Sequence, residues 1–80
     1  MRPYLNLSGK SGVRAYDLGP DFIDVEFVNR HEPYRYSAEG VGRENVAEMQ
    51  RRAVAGRGLG TFISQHPEVR NGYDQIELVN

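Results

Sequence analysis

Cysteine is absent from the sequence, so neither a disulfide framework nor a thiolate zinc site can supplement the interior. Apolar runs are short: none approaches the roughly 18 residues that a membrane span requires, and residues 1–7 lack the continuous apolar stretch of a signal peptide. Lysine is almost absent, with Lys10 alone among ten basic residues. These gaps leave a small protein, expected in the cytoplasm, that is held together by side-chain packing and makes no membrane contact. Its 80 residues, 39% of them apolar, have interior enough for one domain.

The arginine bias favours planar, forked contacts with phosphate or carboxylate over diffuse point charges, although a genome-wide compositional bias produces the same skew. A net charge of -1 is unlike that of a strongly basic nucleic-acid binder. Charge is nonetheless unevenly spread. Arg30, Arg35, Arg43, Arg51, Arg52 and Arg57 face only four glutamates within residues 30–57, whereas Glu68, Asp74 and Glu77 outnumber Arg70 in the ending.

Residues 8–12, rich in Gly and Ser, read as a flexible turn. Its Gly9, Lys10 and Ser11 resemble the end of a phosphate-binding loop, but Tyr4 stands where that loop needs glycine and a strand pattern follows in place of a helix. Residues 13–16 read as a first strand, closed by turn formers over 17–21. Residues 22–28 then alternate, with Ile23, Val25 and Phe27 on one face and Asp24 and Glu26 on the other, as in a strand with one buried and one wet side. A polar loop over 29–33 returns the chain antiparallel through residues 34–37. The result is a three-stranded meander.

Residues 38–42 link this sheet to a helix over about 43–55, in which Val46, Met49 and Ala53 form an apolar stripe. Glu44 and Glu48 lie early and Arg51 and Arg52 late, as the helix dipole prefers. Gly56 is placed to end it in a left-handed conformation. A glycine-rich corner, residues 56–60, leads to a short second helix over 61–65, stopped by Pro67. Residues 75–79 read either as an edge strand or as a loosely held terminus. The expected class is α+β: a meander covered by a long and a short helix, with a C-terminal edge strand as an open option. One domain spans residues 1–80, its core about 11–66, with 67–80 as tail or edge strand.

The order of these signals resembles the KTSC domain family, a small domain found at the C-terminus of some lysyl-tRNA synthetases and as stand-alone bacterial and phage proteins. The likeness rests on residues 11–17, 23–27, the Tyr-x-Tyr of Tyr34 and Tyr36, residues 45–49, 55–59, and Phe62 with Ile63. It covers roughly residues 11–64. Ser37 to Gly40 stand where many members carry a Val-Pro pair, as in the stand-alone type. The resemblance implies a small α+β fold with no established enzymatic activity, and the family's context suggests RNA binding. Many stand-alone members end in a basic tail, whereas this chain ends acidic.

Tyr34 and Tyr36 share one face of their strand and Arg35 takes the other. If the helices cover the shared face, the two rings are core; if it is open, they form a stacking platform for bases. Tyr16 can join either face. His31 and His66 lie in separate loops without partners at metal-ligand spacing, and Asp17, Asp21 and Asp24 read as turn and surface acids. A nucleophile would require Ser8, Ser11, Ser37 or Ser64 to meet a histidine and an acid by accident of folding, and so small a domain has little room for a substrate cleft. No cofactor or metal is expected. Two readings follow. The first is a non-enzymatic module that binds RNA or DNA through Arg35, Arg43, Arg51, Arg52 and Arg57 with Tyr34 and Tyr36. The alternative is a protein-interaction module, such as an accessory subunit or a phage-borne inhibitor of a host complex.

Overall fold

The computed structural model describes residues 1–75. In chain order it contains β1 (Arg2–Pro3), β2 (Val13–Leu18), β3 (Phe22–Phe27), β4 (Tyr34–Ser37), α1 (Ala38–Val41), α2 (Arg43–Ala55), α3 (Leu59–Gln65), α4 (Pro67–Arg70) and β5 (Asp74–Gln75). The strands form one antiparallel sheet in sequence order, so every strand lies beside its neighbours in the chain. The fold is α+β, and the expected meander is its centre.

Alternation in β3 sets the core face as read from the sequence, although Asp24 on the opposite face is also buried. Ile23 and Val25 are fully buried and pair with Tyr36 and Tyr34 of β4. A bulge between Val13 and Ala15 in β2 sets two residues against Glu26, so that Val13 and Tyr16, three positions apart, both turn to the core. Tyr16 thereby joins the helix-covered face. The helices close this face with Val46, Met49 and Ala53 of α2, Leu59, Phe62 and Ile63 of α3, and Val69 of α4. Gln50 fastens α2 to the β2–β3 turn, its Nε2 donating to the carbonyls of Gly19 and Phe22 at 2.9 Å each.

Helix α2 has the expected limits. Gly56 ends it at φ 79°, where its N–H donates to the carbonyls of Ala53 and Arg52. The same glycine lets the N-terminal segment pass close by, because a Cβ there would lie 2.7 Å from that of Leu5. Two further contacts hold that segment: Tyr4 Oη accepts from Leu59 N–H at 3.2 Å, and the Leu7 N–H donates to the Gly56 carbonyl at 2.8 Å.

Several boundaries differ from expectation. Residues 2–3 add an N-terminal edge strand on β2, too short to leave a periodic signal. The linker after β4 contains α1, whose N-cap Ser37 accepts from Gly40 N–H at 3.1 Å. Helix α3 begins at Leu59 behind Gly58 rather than at Thr61. Pro67 opens α4 instead of closing off helical structure, since the first helical position needs no N–H. A C-terminal edge strand is present as β5, paired with β4 through Asp74 and Gln75; the rest of the expected 75–79 strand lies outside the described residues.

Candidate functional site

Arg35 emerges on the outer face of the sheet and is committed there. Its Nε and one terminal nitrogen donate to the two carboxylate oxygens of Asp24 at 2.8 and 3.0 Å, and its guanidinium lies 3.9 Å over the Phe22 ring. Register places Asp17, Asp24, Arg35 and Asp74 in one cross-strand row. The hydrogen bond to Asp24 holds the guanidinium pKa above its ordinary value, helped by the charges of Asp24, Asp74 and Asp21. Although this face was read as wet, Asp24 is only 7% exposed. The Arg35 guanidinium binds it from β4, and the row around Arg35 is acidic.

Of the other arginines, Arg51, Arg52 and Arg57 share one hollow and Arg43 lies apart. Arg43 lies at the start of α2, beside Pro20 and Asp21. Near its other end, Arg51 and Arg52 both bind Glu48, Arg52 at 2.8 Å. Those hydrogen bonds, Arg52 first, lower the Glu48 carboxyl below its usual range. Arg52 also donates to the Gly58 carbonyl at 3.1 Å and lies over the Phe62 ring, which ties α2 to the corner before α3. His66 also stacks on that ring at 4.0 Å, its Nδ1 2.8 Å from the Phe62 carbonyl. Arg57 is exposed and lines one hollow with Arg51, Arg52 and Glu48, beside Leu7 and Ala55.

Tyr34 and Tyr36 both lie on the helix-covered face but at different depths. Tyr36 is 1% exposed, and burial raises its phenol pKa well above the ordinary range, with Tyr34 and Tyr73 contributing. Tyr34 is half-buried at the core margin. It meets Phe27 edge-on at 5.5 Å and stacks on Tyr73 at 4.4 Å with 7° between the planes. Tyr36 approaches the Tyr73 ring edge-on at 6.2 Å.

This aromatic margin forms one wall of an open groove of about 630 Å³. Its opposite wall comes from α3, with Thr61 and Ser64, and its rim from the 8–12 loop and the segment after α4. Three cations line it: Lys10, Arg30 and Arg70. All three are exposed, and none is ion-paired among the described residues. No Asp or Glu lines the groove among the described residues. Asn6 shapes the lysine rim: at φ 53°, it accepts the Ser11 N–H on its side-chain oxygen at 3.1 Å. The loop expected to be flexible is thereby folded back on itself.

Unpaired cations, hydroxyls and an exposed aromatic ring suit a ligand that carries phosphate and a flat heterocycle. The groove residues Lys10, Arg30, Arg70 and Tyr73 were not read together as a site from the sequence, because they come from three separate segments. Tyr34 and Tyr36 were. No group of three His, Cys, Asp or Glu side chains able to hold a metal ion occurs among the described residues, and none of their helices is long and apolar enough to cross a membrane. Comparisons with family models, curated proteins and solved structures returned no match.

Proposed function

We propose that the chain is a small, non-enzymatic, nucleic-acid-binding module of the KTSC type that works in the cytoplasm through the Lys10–Arg30–Arg70 groove. The observation that carries this reading is the concentration of three cations that make no ion pair among the described residues, beside stacked aromatic rings, in a groove without a carboxylate among those residues, on a chain whose net charge is -1. The order of sequence signals that resembles the KTSC family supports the same reading. Non-enzymatic binding is favoured because neither His31 nor His66 lines the groove, so its hydroxyls from Ser8, Ser11, Thr61 and Ser64 have no adjacent imidazole to activate them.

Three phosphate contacts to a single strand give a log-affinity against log-salt slope of about -2. The test is a titration of labelled single-stranded RNA at several salt concentrations. A salt-sensitive shift with roughly that slope supports the module, and no shift up to high micromolar protein removes it.

A second reading, a protein-interaction module, draws on the exposed apolar side chains of Leu5, Leu7 and Val54 near the end of α2. It expects a protein partner to co-purify from the native host and to be lost on Leu5→Ser/Leu7→Ser substitution. Recovery of nucleic acid alone counts against it.

A further inference from the structure

We infer that Tyr73 is the platform on which one unpaired base of a single strand stacks, which makes the groove selective for single-stranded over duplex nucleic acid. The inference rests on the nucleic-acid reading above and gives it a specific contact. Tyr34 has neighbours on two sides, Phe27 edge-on and Tyr73 face-on. Tyr73 has one face against Tyr34 and the edge-on approach of Tyr36, yet stays 38% exposed. Tyr73 also lines the groove, so part of its remaining exposed surface is presented to a ligand there.

The ring is also held in place before any ligand arrives. Gly72 sits so tightly that a Cβ there would meet the Glu68 carbonyl oxygen at 2.6 Å and the Gly40 carbonyl oxygen at 2.9 Å, and Asp74 pairs with Arg35 of β4 immediately after. Arg70, three residues earlier, lines the same groove, so a phosphate next to the stacked base has a cation within the same short segment. A paired base in a duplex has both faces stacked and must be extruded before it can use this surface. A base in a single strand is free to do so at once. Stacking on an aromatic ring is worth about 1–3 kcal/mol per base, or roughly 5- to 150-fold in affinity.

The experiment measures anisotropy of labelled RNA and DNA single strands of about ten nucleotides, within the usual site-size range, and of the matching duplexes. Proteins are the intact chain and its Tyr73→Phe, Tyr73→Leu and Tyr73→Ala variants, each first shown to be folded by circular dichroism. Tyr73→Leu retains an apolar cover over Tyr34 while removing the π face, so it remains informative if Tyr73→Ala unfolds. Single strands are expected to lose about 5-fold or more with Leu or Ala and less than about 2-fold with Phe, and duplexes are expected to bind more weakly and to ignore the substitution. Equal binding by Tyr73→Leu and the intact chain, or duplex binding as tight as single-strand binding, overturns the platform while leaving the module standing. Failure of every oligonucleotide to bind in a salt-sensitive manner overturns both.

Discussion

Arg35 and Asp24 face each other across β4 and β3, joined by two hydrogen bonds of 2.8 and 3.0 Å. The two partners are unequally covered: the Asp24 side chain is 10% exposed and that of Arg35 is 41% exposed. Removing Arg35 therefore leaves a covered carboxylate without its donor, whereas removing Asp24 leaves a guanidinium that water reaches. Breaking a fully buried pair costs about 3–5 kcal/mol, and the exposure of Arg35 reduces this to about 1–3 kcal/mol. Chemical denaturation of Arg35→Ala is expected to show that loss, with Asp24→Ala losing less and the double variant recovering part of it. Equal costs for the two single variants, with no coupling in the cycle, contradict the assignment.

Tyr36 and Tyr34 are expected to separate when truncated. Tyr36→Ala removes a ring that is 1% exposed, at about 3–5 kcal/mol, a large share of the roughly 4–12 kcal/mol available to 80 residues. Tyr34→Ala opens only the core margin and is expected to leave a folded protein. Thermal melts of the two variants check this, and the reverse order of stability would place Tyr34 in the core instead.

The same burial predicts an alkaline limb. Because the folded-state pKa of Tyr36 is raised, the folded chain keeps a proton that the unfolded chain releases near pH 10. The stabilisation is complete below that pH and is lost as pH rises toward the folded value. Tyr36→Phe cannot ionise, so its stability is expected to fall less steeply above about pH 10. Denaturant midpoints measured from pH 8 upward decide the matter, and identical limbs for both proteins exclude Tyr36 as their source.

The sequence showed those parts of the fold that repeat within one element. The Ile23, Val25, Phe27 alternation, the Val46, Met49, Ala53 stripe and the helix stop at Gly56 needed only neighbours in the chain to be read, because periods of two and 3.6 residues are local properties. What remained hidden depends on register and on distant segments. That Arg35 would oppose Asp24 was unreadable without the pairing set by the 29–33 loop, and the β2 bulge that turns Tyr16 inward leaves no periodic trace. The groove was the least legible feature. Lys10, Arg30, Arg70 and Tyr73 come together only after the sheet, α3 and the segment following α4 have packed, and attention had gone to the more crowded arginines of α2.

Gly72 is expected to be the most sensitive of the residues that place Tyr73. A Cβ there would meet two backbone oxygens, of Glu68 and Gly40, as well as Val41 Cγ1 at 2.8 Å, and backbone cannot rotate away as a side-chain tip can. Gly72→Ala is therefore expected to displace the α4–β5 connection and cost about 1–3 kcal/mol through overpacking. Asn71→Ala, at an exposed neighbouring position, is expected to stay within about 0.5 kcal/mol. If Gly72→Ala melts with the intact chain, the close approach does not constrain this segment.

The strongest discrimination between the groove and the α2 arginines comes from removing charge singly in each. Lys10, Arg30 and Arg70 make no ion pair among the described residues, so their side chains are free to displace counterions from phosphate. Arg51 and Arg52 already neutralise Glu48, so a phosphate must compete with that carboxylate and gains less. Each of Lys10→Ala, Arg30→Ala and Arg70→Ala is expected to make the salt slope for single-stranded RNA shallower by about 0.7, with stability within about 0.5 kcal/mol of the intact chain because all three positions are exposed. Arg51→Ala is expected to leave the slope nearly unchanged while losing one of the two partners that depress the Glu48 pKa. A slope that responds to Arg51 and Arg43 but not to Lys10, Arg30 and Arg70 would move the interface to α2, where the sequence alone first directed attention.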